Sequence, residues 1–146
     1  MIALLTMIVL LVLAGCGGGS GSDLCAGKKG AAGTVVRTIE SAGQTRTFRI
    51  TAPDSALRGA PAPLVLVFHG VFSNGEQIQV VTGMPEKAAS EGFLTAAGDG
   101  LGMSWNAGLC CDPAAAQDID DVQFARDMVA AIEAEYCVDA ERIYAT

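Results

Sequence analysis

The sequence predicts an α/β domain, a sheet with helices packed on it. Three observations carry this expectation. Leu64–Phe68 is an unbroken apolar run of strand length, the pattern of a strand buried on both faces. Between Asp120 and Tyr136, apolar side chains recur at Val122, Ala125, Val129, Ile132 and Tyr136, which is helical spacing. Segments of these two kinds alternate from residue 64 onward, and strands alternating with helices imply right-handed crossovers within one sheet.

The elements follow in order. Thirteen of the first 15 residues are apolar. The run Met1–Ala14 is too short for a bilayer, which needs about 20 residues, and it ends in small residues as a signal-peptide core does. Leu13-Ala14-Gly15-Cys16 resembles a bacterial lipobox, in which Cys16 is lipidated and becomes the first mature residue. Residues 1–15 are therefore expected to be a lipoprotein signal peptide, and residues 16–33, with Gly17–Ser22 at their start, a Gly/Ser-rich tether. Thr34–Glu40 and Thr45–Thr51 are β-rich and separated by Ser41-Ala42-Gly43-Gln44, which reads as an antiparallel hairpin. After Pro61-Ala62-Pro63 comes the Leu64–Phe68 strand, ending in His69-Gly70. Ser73-Asn74-Gly75-Glu76 offers a capping box to a helix, and Pro85–Glu91 is helical again, closed by Gly92. Phe93–Ala97 is a short strand leading into the loop Gly98-Asp99-Gly100. In the helix after Asp120, Asp120 and Asp121 suit the positive helix N-terminus. Adjacent helical residues face different directions, so capping explains the two carboxylates better than a catalytic pair. Arg142–Thr146 opens a further strand.

Composition narrows the function. The chain has 146 residues, 9 Lys+Arg against 16 Asp+Glu, and a net charge of −7. The cations are scattered, with Lys28-Lys29 the sole adjacent pair, so no nucleic-acid partner is expected. Five cysteines are present. Setting Cys16 aside leaves Cys25, Cys110, Cys111 and Cys137, an even number that suggests disulfides in an exported domain. Cys110 and Cys111 are adjacent and would form a strained ring, so a bond from one of them to Cys137 is expected, with Cys25 pairing beyond this chain. Metal binding is set aside because His69 is the single His and no second Cys pair exists. No cofactor is expected.

Pro63–Gly70, then Gly92-Phe93, Asp99-Gly100, Ser104-Trp105-Asn106-Ala107-Gly108, Cys110-Cys111, Asp120-Asp121-Val122, Tyr136–Asp139 and Arg142–Thr146 together resemble secreted enzymes of the polyhydroxybutyrate depolymerase and feruloyl esterase-like type. The resemblance covers about residues 34–146. It implies an α/β-hydrolase fold, N-terminal part only, ending just before the nucleophile elbow Gly-x-Ser-x-Gly. It further implies a serine carboxylic-ester hydrolase whose nucleophile, acid and base follow Thr146, so that the fragment alone is inactive. Polyester, aryl ester or plant cell-wall ester would be the substrate, and the lipid anchor would hold the protein to a bacterial membrane or cell surface.

By the same resemblance, His69 and Gly70 shape the oxyanion turn and the N–H of Val71 donates to the developing oxyanion. The loop Val71–Gly75 departs from the family in being poorer in glycine. Among the serines here none lies in Gly-x-Ser-x-Gly, and Ser104, in Gly102-Met103-Ser104-Trp105-Asn106, lacks the final glycine. His69 is a poor candidate for the base, which comes last in the chain order of this fold. Trp105 is a candidate substrate wall or a buried core residue, and Asp99 either lines the site or caps its loop. A non-catalytic lipoprotein on the same scaffold, or a peptidase, fits the same residues.

Overall fold

The computed structural model describes residues 25–146. The signal segment, Cys16 and the first part of the tether lie outside the described residues. The chain opens with β1 (Gly33–Ser41) and β2 (Gln44–Ala52), and continues with β3 (Ala62–Val67), α1 (Gly75–Thr82) and α2 (Met84–Glu91). It ends with β4 (Leu94–Gly98), α3 (Asp121–Glu135) and β5 (Val138–Ala145). The five strands form one sheet in the order β1-β2-β4-β3-β5. β1 pairs antiparallel with β2, and β2 with β4. β3 lies between β4 and β5, parallel to both, which is why the Leu64–Phe68 run carries no polar alternation. In the β1–β2 hairpin, Ala42 (φ 49°) and Gly43 (φ 75°) are both left-handed, the two-residue turn that matches strand twist.

The sheet is covered on both faces. Phe48 and Ile50 of β2, Leu64 and Leu66 of β3, and Leu94 and Ala96 of β4 form a buried core with Phe124, Met128, Ile132 and Tyr136. Alternate residues face the other way, where the Gln79 side-chain amide of α1 donates to Thr51 Oγ1 at 3.3 Å and Ala88 of α2 is fully buried.

Three local expectations shift. The buried stripe of α3 is Phe124, Met128 and Ile132; Val122 is 61% exposed, while Ala125 and Val129 flank the core. The helix rotates because Phe124 and Met128 remove more apolar area from water than Val122 and Ala125 could. The cap of α1 is Asn74, whose side chain accepts from the Gln77 N–H at 2.9 Å, one residue later than the Ser73 box. The last strand starts at Val138, ahead of the expected Arg142, because a register shift between Ala62 and Leu64 absorbs the charged Asp139–Arg142 segment. Gly92 closes α2 as expected, left-handed at φ 77°.

The disulfide expectation is corrected. Cys137 bonds to Cys25, with Cα atoms 4.9 Å apart, and Cys110 bonds to Cys111. The reason lies in residues 25–31, which run across the C-terminal end of α3. The N–H groups of Lys29 and Gly30 donate to the Glu135 carbonyl at 3.0 and 2.9 Å, and the Tyr136 hydroxyl donates to the Ala31 carbonyl at 3.1 Å. Gly30 leaves no room for a side chain, because a Cβ there would enter the Tyr136 ring. This strap brings Cys25 to Cys137, two residues whose separation of 112 hides their proximity.

Removing this bond by Cys137→Ser is expected to lower unfolding stability by about 2–5 kcal/mol. Chemical denaturation of oxidised wild type and variant checks it, and a reductant should abolish the difference. A second prediction concerns Arg37, which binds Glu135 through two hydrogen bonds of 2.9 and 2.6 Å. The hydrogen bond from Arg37 holds the Glu135 carboxyl below its ordinary value of 4.5. Its stabilisation is therefore complete above that value and lost as pH falls through the lowered folded one. The small stability gap between wild type and Arg37→Gln should close on acidification, as read from denaturation midpoints at several pH values.

Candidate active site

In open α/β sheets, ligands bind beyond the carboxyl ends of the strands. Two loops meet there, one following β3 through His69 to Asn74 and one following β4 from Asp99 to Asn106. His69 is buried. Its Nδ1 lies 2.8 Å from the Gly70 carbonyl, and its Nε2 is 2.9 Å from the Gly100 N–H. A carbonyl can only accept and a backbone N–H can only donate, so the imidazole is neutral with its proton on Nδ1. Both ring nitrogens are thereby occupied, and His69 is a tie between loops with no free nitrogen to act as a base.

Two more bonds join the loops. The indole N–H of Trp105 donates to the His69 carbonyl at 2.9 Å, and the Phe72 N–H donates to the Met103 carbonyl at 2.9 Å. Between these fixed points, the N–H of Val71 has no acceptor among the described residues. The three predicted oxyanion residues thus stand together in the turn after β3, where the N–H groups of Gly70 and Asn74 likewise have no acceptor among the described residues.

The remaining candidates serve the scaffold. Asp99 accepts from the Gly75 N–H at 2.7 Å and from Arg49 at 2.8 Å through both oxygens, tying the start of α1 to the end of β4. Glycine is required at 75 because a Cβ would sit 2.7 Å from the Ala97 carbonyl. Ser104 is fully buried. Its hydroxyl donates to the Leu101 carbonyl at 3.3 Å and accepts from the Ala114 N–H at 3.0 Å, so it is a structural link without a base in reach. Trp105 packs edge-on against Phe68 at 5.0 Å and parallel to Phe124 at 6.3 Å. Its outer edge lines a shallow apolar groove of about 340 Å³ with Phe68, Val122 and Ala125. Asp120 caps α3 by accepting from the Gln123 N–H at 2.8 Å.

Asp121 does more than favour a helix terminus. One oxygen pairs with Arg46 at 2.7 Å and the other accepts the Asn106 N–H at 2.7 Å. The Arg46 side chain is 1% exposed, and its guanidinium lies 3.9 Å above the Phe124 ring. Sequence reasoning passed over Arg46. The signal was available: Arg46, Phe48 and Ile50 share one face of β2, so a charge stood at an inward position.

No protein-family model matches the chain. Feruloyl esterase B of Piromyces equi is 35% identical over 88 residues, 58% of this chain and 16% of that protein. A protein named esterase NocK, of Nocardia uniformis subsp. tsuyamanensis, is 33% identical over 122 residues, 77% of this chain and 33% of that protein. The chain thus spans a third or less of the length of these curated relatives. Among solved structures, an S-formylglutathione hydrolase from Agrobacterium tumefaciens superposes with a TM-score of 0.60 at 17% identity, over 83% of this chain and 51% of that one. FphF, a fluorophosphonate-binding serine hydrolase of Staphylococcus aureus, superposes at 0.57 and 10% identity, over 80% and 47%. The fold is that of the α/β-hydrolases, in part.

Breaking the buried pair should be costly. Asp121→Ala strands the Arg46 charge and is expected to destabilise by about 3–5 kcal/mol. The double variant Arg46→Met/Asp121→Leu should lose distinctly less in the same urea titration.

Proposed function

We propose that this chain forms the N-terminal part of a serine carboxylic-ester hydrolase of the polyhydroxybutyrate depolymerase and feruloyl esterase-like type. The nucleophile, acid and base are assigned to sequence following Thr146. The observation that carries the reading is the turn His69-Gly70-Val71 at the carboxyl end of the sheet, held between two cross-linked loops, where the Val71 N–H has no acceptor among the described residues. Similarity to feruloyl esterase B and to esterase NocK supports the same reading.

The chemistry follows from the geometry. When a serine oxygen attacks the ester carbonyl, the carbonyl oxygen gains negative charge, and a preorganised donor stabilises that state without having to reorient. In this fold a second donor comes from the residue after the nucleophile. The alcohol leaves with a proton from the base, and water then releases the acid from the acyl-enzyme. His69 contributes by holding Gly70 and Gly100 in place.

The proposal extends to location. The Leu13–Cys16 lipobox pattern supports export and lipid anchoring at a bacterial membrane or cell surface. The Cys25–Cys137 bond supports an oxidising compartment.

A fluorophosphonate probe should label the whole protein, and residues 16–146 alone should stay unlabelled. Val71→Pro, which deletes the donor, should lower kcat on a chromogenic ester by about 10²–10³-fold with little change in KM. Labelling of residues 16–146 that disappears in Ser104→Ala would overturn the assignment.

A further inference from the structure

The Trp105 indole sits in a slot that the surrounding chain keeps open for it. At the end of β4, a Cβ on Gly98 or on Gly100 would come within 3.2 Å of the ring. Phe68 meets the ring edge-on at 5.0 Å, the His69 imidazole lies 4.9 Å away, and Phe124 stacks on it at 6.3 Å. The backbone is fixed on either side of Trp105. The Ser104 hydroxyl accepts from the Ala114 N–H at 3.0 Å, and the Asn106 N–H donates to Asp121 at 2.7 Å. An indole nitrogen can only donate, so a ring seated this way decides where its acceptor, the His69 carbonyl at 2.9 Å, must lie.

That carbonyl begins a run of three clamped peptide units. In a trans peptide the C=O and the following N–H lie in one plane and point opposite ways, so holding one aims the other. The indole bond on the His69 carbonyl therefore aims the Gly70 N–H. The Gly70 carbonyl, 2.8 Å from His69 Nδ1 and accepting the Ser73 N–H at 3.2 Å, aims the Val71 N–H in the same way. The bond from the Phe72 N–H to the Met103 carbonyl at 2.9 Å closes the third unit. Neither the Gly70 nor the Val71 N–H has an acceptor among the described residues. The first of these clamps is a side chain from the other loop, and a phenylalanine would fill the same slot without supplying it.

We propose that Trp105 is a positioning residue of the oxyanion turn: its indole N–H, acting through the His69 carbonyl, holds the peptide units from which the Gly70 and Val71 N–H groups project. The assignment rests on the esterase reading of this turn. In this role the donor, rather than the surface of the ring, is what the reaction needs.

The test uses the whole protein, with rates expressed per active site titrated to completion by a fluorophosphonate, so that any loss of folded protein is divided out. Trp105→Phe keeps a ring against Phe68 and Phe124 and removes the donor. It should lower kcat by about 10–10²-fold with KM little changed, and by the same factor on p-nitrophenyl acetate and p-nitrophenyl hexanoate. Replacing Trp105 by 3-benzothienylalanine, which keeps the shape of the indole but carries sulfur in place of the N–H, should give the same fall. An unchanged kcat in the benzothienyl variant would overturn the assignment. So would a loss that appears in KM and grows with acyl length, which is what a substrate wall would show. Absence of both ester turnover and phosphonate labelling in the unmodified protein would remove the esterase reading itself, and this role with it.

Discussion

The buried ion pair between Arg46 and Asp121 organises the molecule, because three separate parts of the chain end on it. Arg46 comes from the first half of β2, Asp121 from the first turn of α3, and the Asn106 N–H that meets the second Asp121 oxygen from the loop after β4. A guanidinium with 1% of its side chain exposed would be prohibitive without such partners, since desolvating a charge costs several kcal/mol after relaxation. The aromatic faces beneath it, at 3.9 Å for Phe124 and 5.8 Å for Trp105, add a cation–π term that water no longer competes with. The pair therefore sets both the position of α3 on the sheet and the path of the loop that carries Trp105.

From that fixed loop the geometry passes to the β3 loop through hydrogen bonds of defined direction. Trp105 reaches the His69 carbonyl, and His69 in turn accepts from Gly100. The neutral tautomer of His69 is a consequence of this network, since a proton on Nε2 would face the Gly100 N–H. What the loops gain is rigidity around the turn that carries the Val71 N–H. Preorganisation of this sort is what makes a backbone N–H effective toward a developing charge, because no reorientation is needed as the charge appears.

Much of this was legible in the sequence where the cause is local. The left-handed Gly92, the Asp120 cap and the central parallel strand follow from backbone sterics and apolar runs, and all are found where the pattern puts them. The misreadings arise where tertiary contacts decide. Helical spacing alone admits two overlapping stripes on α3, and the sheet selects the one with Phe124 and Met128. Cys25 was illegible because its pairing depends on a strap whose hydrogen bonds go to Glu135 and Tyr136, more than a hundred residues away in sequence. The glycine-poor loop at Val71–Gly75 was legible as a departure. What the sequence did not show is that Phe72 within it is left-handed, at φ 64°, a position where glycine would be the unstrained choice.

The strap and the candidate site sit at opposite ends of the sheet. Cys137 directly precedes β5, whose first residue, Val138, pairs with Ala62 at the start of β3, whereas His69 and Gly100 follow the ends of β3 and β4. The Cys25–Cys137 bond consequently fixes the incoming chain at the edge of the domain farthest from the loops. Between Cys16 and Cys25 there are only nine residue steps, a reach of about 30 Å when fully extended. The bond adds a covalent hold to a strap that Lys29, Gly30 and Ala31 already tie by hydrogen bonds to Glu135 and Tyr136.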